Sequence, residues 1–147
     1  MTQARHAGAV LAIDHGTKRV GFAVADALRI SSQALETWEA GAAERTLLDH
    51  VARLLEDRFV ATIVVGLPLN MDGTGGPRAE EVKSFVRDLA ARFPDVNVVT
   101  HDERLTTKAA EELLRESAYS RKARKVRRDS WSALVILRDW IASGEPR

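Results

Sequence analysis

The sequence contains no cysteine. Disulfide staples and thiolate metal sites are therefore excluded, a composition that suits a reducing cytoplasm. No apolar run approaches the ~20 residues that a helix needs to cross a bilayer, and the opening MTQARHAGAV lacks the apolar stretch of a signal peptide. Internal repeats and low-complexity tracts are missing as well, and only the SGEPR tail reads as frayed. A large net charge is absent too: the chain sums to +1, which by itself points to no polyanionic partner. The expectation is a cytoplasmic, soluble protein.

What is present is a globular balance of 45% hydrophobic and 29% charged residues in 147, enough for one domain (1–147) with a real core. Ala9–Ile13 and Val20–Ala25 read as strands joined by a turn at His15–Thr17, a connection short enough to imply an antiparallel pair. A weaker strand is expected near Leu28–Leu35. Leu47, Leu48, Val51, Leu54, Leu55 and Phe59 follow at helical spacing. Ala61–Leu67 is a continuous β-branched run of the kind covered on both faces. A glycine-rich loop, NMDGTGGPR, leads to a second helix with Val82, Phe85, Val86, Leu89 and Phe93, closed by Pro94. Val96–Thr100 is another strand, LTTKAAEELL a third helix, and WSALVILRDWIA a last helix, apolar on most faces, with Trp131 and Trp140 in the core. This order predicts a mixed sheet with helices on both faces, and ligands in such sheets gather at the carboxyl ends of parallel strands.

Acidic residues fall at that address. Asp14 ends the first strand, Asp102 and Glu103 end the VNVVTH strand, and Asp129 opens the last helix. Singly, each also reads as a turn or cap residue. Gathered at one edge, they repel one another unless a cation lies between them. The hard cations that carboxylate oxygens select are Mg²⁺ and Mn²⁺. Two such ions about 4 Å apart can activate water and stabilise the leaving oxygen of a phosphodiester. Lys18 and Arg19 fit this site as phosphate contacts and equally as solvated turn cations. The glycines of GLPLNMDGTGG allow close approach to a sugar-phosphate backbone or simply a surface loop. Asp72 within it favours a turn role over a metal contact, and His15 and His101 read as hydrogen-bonded neighbours of the acids.

Positive charge is concentrated in one place. Arg121, Lys122, Arg124, Lys125, Arg127 and Arg128 put six cations into eight residues and leave the rest of the chain at net −5. A solvated helix face would mix signs for i,i+4 pairing, so the run points to nucleic acid bound through its phosphates, largely without regard to sequence. Tyr119 is placed to stack on a base.

IDHGTKRVGFAVAD, VVGLPLNMDGT, THDERLTT and the helix at Asp129, in this order and over nearly the whole chain, resemble the YqgF/RuvX family. These are RNase H-like proteins described as Holliday junction resolvases and as nucleases processing the 5′ end of pre-16S ribosomal RNA. The resemblance implies an RNase H-like mixed five-stranded sheet, antiparallel in its first strands and parallel thereafter, flanked by helices on both faces. It implies a metal-dependent, two-metal-type phosphodiester hydrolase with Asp14, Glu103 and Asp129 as the acidic triad and metal ligands, and a role in ribosome biogenesis. Pre-rRNA, or branched DNA, is then the partner, for which a homodimer would suit a symmetric junction. Asp102, Asn70 and Asp72 become supporting residues around the triad. Asn70 stands where related resolvases carry their second acid, and Arg128 and Ser132–Ala133 depart from the family's usual flanks around the last acid.

Two other readings stand beside this one. Actin-like and sugar-kinase ATPases also begin with a strand, an Asp-x-Gly turn and a second strand, but they need a second lobe that 147 residues cannot supply. A noncatalytic RNA-binding factor for ribosome assembly would carry the same basic run.

Overall fold

Antiparallel pairing begins at the first turn. Ala9–His15 (β1) and Arg19–Ala25 (β2) pair from Val10↔Ala25 to His15↔Val20. The turn between them closes by a hydrogen bond from the Gly16 N–H to the Arg19 carbonyl at 2.9 Å. A side chain at Gly16 would run into that same carbonyl, so the turn requires glycine. Our computed structural model describes residues 8–105 and 128–146.

β2 pairs antiparallel with Ser32–Glu39 (β3), while β1 pairs parallel with Val60–Leu67 (β4), which in turn pairs parallel with Asn97–Asp102 (β5). The strand order is β3-β2-β1-β4-β5. The expected five-stranded mixed sheet is thus the observed one. One strand lies later than expected. Leu28 and Ile30 belong to a turn, are 76% and 79% exposed, and flank Arg29 at φ 60°. The chain bends there because Arg29 bonds back to the Gly8, Asp26 and Ala27 carbonyls and pairs with Glu145 at 2.9 Å. That pairing, with a 3.0 Å bond from Trp140 Nε1 to the Pro146 carbonyl, also ties down the tail expected to fray.

Alternation along the strands distributes the core between two layers. Leu11 and Ile13 face Leu47–Glu56 (α1) and Pro77–Arg92 (α2), packing with Val51, Ile63, Val65, Val82, Phe85 and Leu89. Phe59, expected on the apolar stripe of α1, lies beyond its end and is 76% exposed. Thr46 caps α1 through Asp49 N–H, and Pro77 opens α2, where its missing N–H has no helical partner to lose. Val10, Ala12 and Val64 face Arg128–Ala142 (α3), whose Leu134, Leu137 and Trp140 are buried. Trp131 is only partly buried against the same cluster. The helix expected over LTTKAAEELL lies outside the described residues. No helix among the described residues is long and apolar enough to cross a membrane.

One polar contact sets where α3 begins on the sheet. The pairing of β2 with β3 shifts between Val20 and Phe22, and the buried Phe22 N–H donates instead to Ser130 Oγ at 3.1 Å. Ser130 is fully buried. Ser130→Ala should leave that N–H without a partner and cost about 1–3 kcal/mol in urea denaturation, whereas Ser132→Ala, two residues on and exposed, should cost under about 0.5 kcal/mol.

Candidate active site at the carboxyl end of the sheet

The alternation that buries Val10 and Ala12 under α3 also places Asp14 on that side of β1, at its last turn toward solvent. On β4, Val64 packs in the same layer, and Gly66 follows it two residues later. On β5, Val99 and His101 face α3, and Glu103 follows in a single 3₁₀ turn, Glu103–Leu105. Three strands thus end with Asp14, Gly66 and Glu103 on one face. Gly66 is the gap that Glu103 fills: a Cβ there would stand 2.7 Å from Glu103 Oε1 and 2.5 Å from Ile136 Cδ1.

Asp14 and Glu103 are hydrogen-bonded to each other. Burial pushes Glu103 up to about 7, and the neighbouring Asp14 charge and the hydrogen bond with Asp14 add to it. Burial likewise raises Asp14, opposed by its bond with Glu103 and by the Arg78 cation. A carboxylate pair of this kind is hard to ionise fully, because two negative charges side by side in a half-buried site repel each other. The third acid, Asp129, is the second residue of α3, directly before Ser130, and so its backbone lies beside β2 where Phe22 pairs with Ile13. Its side chain, with that of Arg128, lies outside the described residues, as do Arg121, Lys122, Arg124, Lys125 and Arg127 in full.

The donor set has the chemistry of a hard-cation site. It offers carboxylate oxygens from the ends of two parallel strands that flank β4. Among the described residues no three His, Cys, Asp or Glu gather closely enough to hold an ion. The described residues thus bring together two carboxylates, Asp14 and Glu103, that could contact a cation.

Asp102 is committed to another task. Arg104 grips both of its carboxylate oxygens, at 2.7–3.1 Å, and holds it well below the usual carboxylate range. The same guanidinium donates to the Met71 carbonyl at 3.1 Å, pinning the glycine-rich loop to the end of β5. Within that loop Asn70 Nδ2 bonds Thr74 Oγ1 at 2.9 Å, and Asp72 accepts from Thr74 N–H and Oγ at 3.0 and 2.6 Å. Asn70 and Asp72 therefore shape the loop. Lys18 is exposed in the β1–β2 turn, and Arg19 pairs with Glu39 at 3.3 Å. His15 packs on Phe85, ring centroids 4.7 Å apart, and His101 bonds the buried Asp139 of α3 at 2.7 Å.

Sequence reading missed Arg78. From the first turn of α2 it donates to the His15 carbonyl, lies 3.5 Å from His15 Nδ1, and pairs with Glu81. Nothing in PRAEEV separates this arginine from an ordinary solvated one. Its place appears only once α2 is docked over the end of β1.

The raised acids set a pH dependence. The stability they contribute is whole below 4.5, the ordinary Glu value, and is lost as pH rises through about 7. In chelator, thermal melts of the wild type should therefore fall between about pH 4.5 and 7 and level off above that, and those of Glu103→Gln should fall less. Equal slopes for the two proteins would contradict the hydrogen-bonded pairing of the two acids.

A family model described as RuvX, Holliday junction resolvase, matches residues 8–143. A Halalkalibacterium halodurans protein named as a candidate pre-16S rRNA nuclease is 44% identical over 132 residues, covering 89% of this chain and 94% of its own. An Acetivibrio thermocellus protein of the same name is 38% identical over 134 residues, covering 91% and 95%. Among solved structures, Thermus thermophilus RuvC aligns over 92% of this chain and 96% of its own with a TM-score of 0.57. RuvC in complex with a Holliday junction substrate aligns with a TM-score of 0.56. At 14% identity, both show a shared fold.

Proposed function

Because the chain belongs to the RuvX family, we propose that it is a nuclease that hydrolyses phosphodiesters of structured RNA, pre-16S rRNA first, with branched DNA as a second substrate class. The observation that carries this reading is the Asp14–Glu103 pair at the carboxyl end of the parallel strands, beside the start of α3. Asp14, Glu103 and Asp129 would hold Mg²⁺ or Mn²⁺, in a two-metal arrangement. When bound, such cations supply Lewis-acid polarisation of the phosphodiester and activation of the water nucleophile.

The chain's own residues do the rest. Asp14 and Glu103 would have to be ionised to hold a cation, so binding would be favoured as pH rises through about 7. Gly66 leaves the space in which Glu103 sits, and Arg104 keeps Asp102 out of the ligand set. Lys18, Arg19 and the basic run Arg121–Arg128 hold the strand by its phosphates.

Asp14→Asn should abolish Mn²⁺-dependent cleavage of a pre-16S rRNA fragment while leaving its affinity for that RNA within about twofold. Equal cleavage by both proteins removes Asp14 from the mechanism. Absence of cleavage by either, with binding intact, favours a noncatalytic assembly factor. Gly66→Ala should displace Glu103 and weaken Mn²⁺ binding by about 10–100-fold in calorimetric titration, with the RNA affinity again preserved.

A further inference from the structure

The cations at this end of the sheet are not equivalent. Arg104 is spent on both oxygens of Asp102 and on the Met71 carbonyl. Arg19 is drawn sideways to Glu39. Arg78 alone of these three bonds to the end of β1 itself, at the carbonyl of the residue that follows Asp14. Its Nη1 goes to Glu81 and its Nη2 to His15, and its Nε makes no hydrogen bond to a described residue. About a third of the side chain is exposed, so the guanidinium beside the end of β1 remains open to a ligand from solvent. Its charge favours the ionised form of both Asp14 and Glu103.

A fixed cation next to a cation-binding pair is a cost. It repels the divalent ion that the acids would attract, by an amount that Coulomb's law makes appreciable at short range in a half-buried site. The arrangement becomes favourable once an anion lies between the two positive centres. A phosphodiester meets that need: one non-bridging oxygen faces the carboxylate-held ion and the other faces a planar guanidinium suited to phosphate.

We propose that Arg78 is a substrate-binding residue that clamps the phosphate at the scissile position, with Glu81 and the His15 carbonyl holding its guanidinium toward the site. The proposal rests on the nuclease reading of this site, but its test does not require turnover. In it, Mn²⁺ binding is measured by calorimetry without nucleic acid. Binding of a fluorescein-labelled single-stranded RNA oligonucleotide is measured in Ca²⁺ across a salt series.

Removing the clamp should move the two affinities in opposite directions. At a pH well above 7, where the acid pair is ionised in both proteins, Arg78→Ala should bind Mn²⁺ about three- to tenfold more tightly, because a repelling charge has gone. The same variant should bind RNA about tenfold more weakly, with a salt slope shallower by about 0.7, one single-strand phosphate contact. Arg78→Lys keeps the charge and loses the fork, so its Mn²⁺ affinity should match the wild type while its RNA affinity stays below it. Where cleavage is measured, the Arg78→Ala loss should fall mainly on KM.

A purely structural clamp of α2 onto β1 predicts something else. Arg78→Ala would then lose thermal stability and Mn²⁺ affinity together, with the salt slope of RNA binding unchanged, and that result overturns the proposal. Should Arg78→Ala not fold, RNA affinity of Arg78→Lys equal to wild type overturns it as well. A wild type that cleaves no RNA or branched DNA in Mn²⁺ strikes the nuclease reading alone, since both binding measurements stand without cleavage.

Discussion

Two half-buried carboxylates, Asp14 and Glu103, are held against each other where three strands end, and the site follows from their mutual repulsion. Among the described residues neither acid has an arginine gripping it as Arg104 grips Asp102. They make do with their mutual hydrogen bond and the nearby charge of Arg78. Such a pair is a poor stability device. Replacing it with apolar side chains would in general cost a fold nothing. Its position at the carboxyl ends of parallel strands suits binding of positive charge, which is what the proposed nuclease function asks of it.

The fold places the two acids together through alternation and register. Residues 10, 12 and 14 share a face of β1, residues 64 and 66 a face of β4, and residues 99, 101 and 103 the continuation of β5. α3 packs on that face, and its start is set by Ser130 bonding a β2 amide freed by the β2–β3 irregularity. His101 and Asp139 tie β5 to the same helix from within the core. A helix anchored to both halves of the sheet carries Asp129 on its first turn. The reading of that residue as the third acid rests on this placement of the backbone and on membership in the RuvX family.

Much of this was legible in the sequence because the determinants are local. The strand types, the antiparallel start and the strand–helix alternation follow from runs of β-branched and apolar residues, and the five-stranded mixed sheet matches them. β3 was misplaced because Leu28 and Ile30 look like strand residues, whereas Arg29 draws that segment into a turn by bonding distant carbonyls and Glu145. Phe59 was misplaced for a similar reason: periodicity cannot show that α1 stops at Glu56. At the site, a strand that ends on an acid is visible in one dimension. The choice between Asp102 and Glu103 is not, since it depends on which of them Arg104 engages and on the empty face of Gly66. Arg78 was invisible for the same reason, its role being set by how α2 docks over β1. The basic run, plainest of all in sequence, lies outside the described residues.

Crystals grown or soaked in Mn²⁺ test the central claim most directly, through the anomalous signal of the ion. The account predicts a peak in direct contact with carboxylate oxygens of both Asp14 and Glu103, with their mutual hydrogen bond broken and Asp102 still on Arg104. An anomalous map with no peak there at saturating Mn²⁺, and the two acids still bonded to each other, would contradict it.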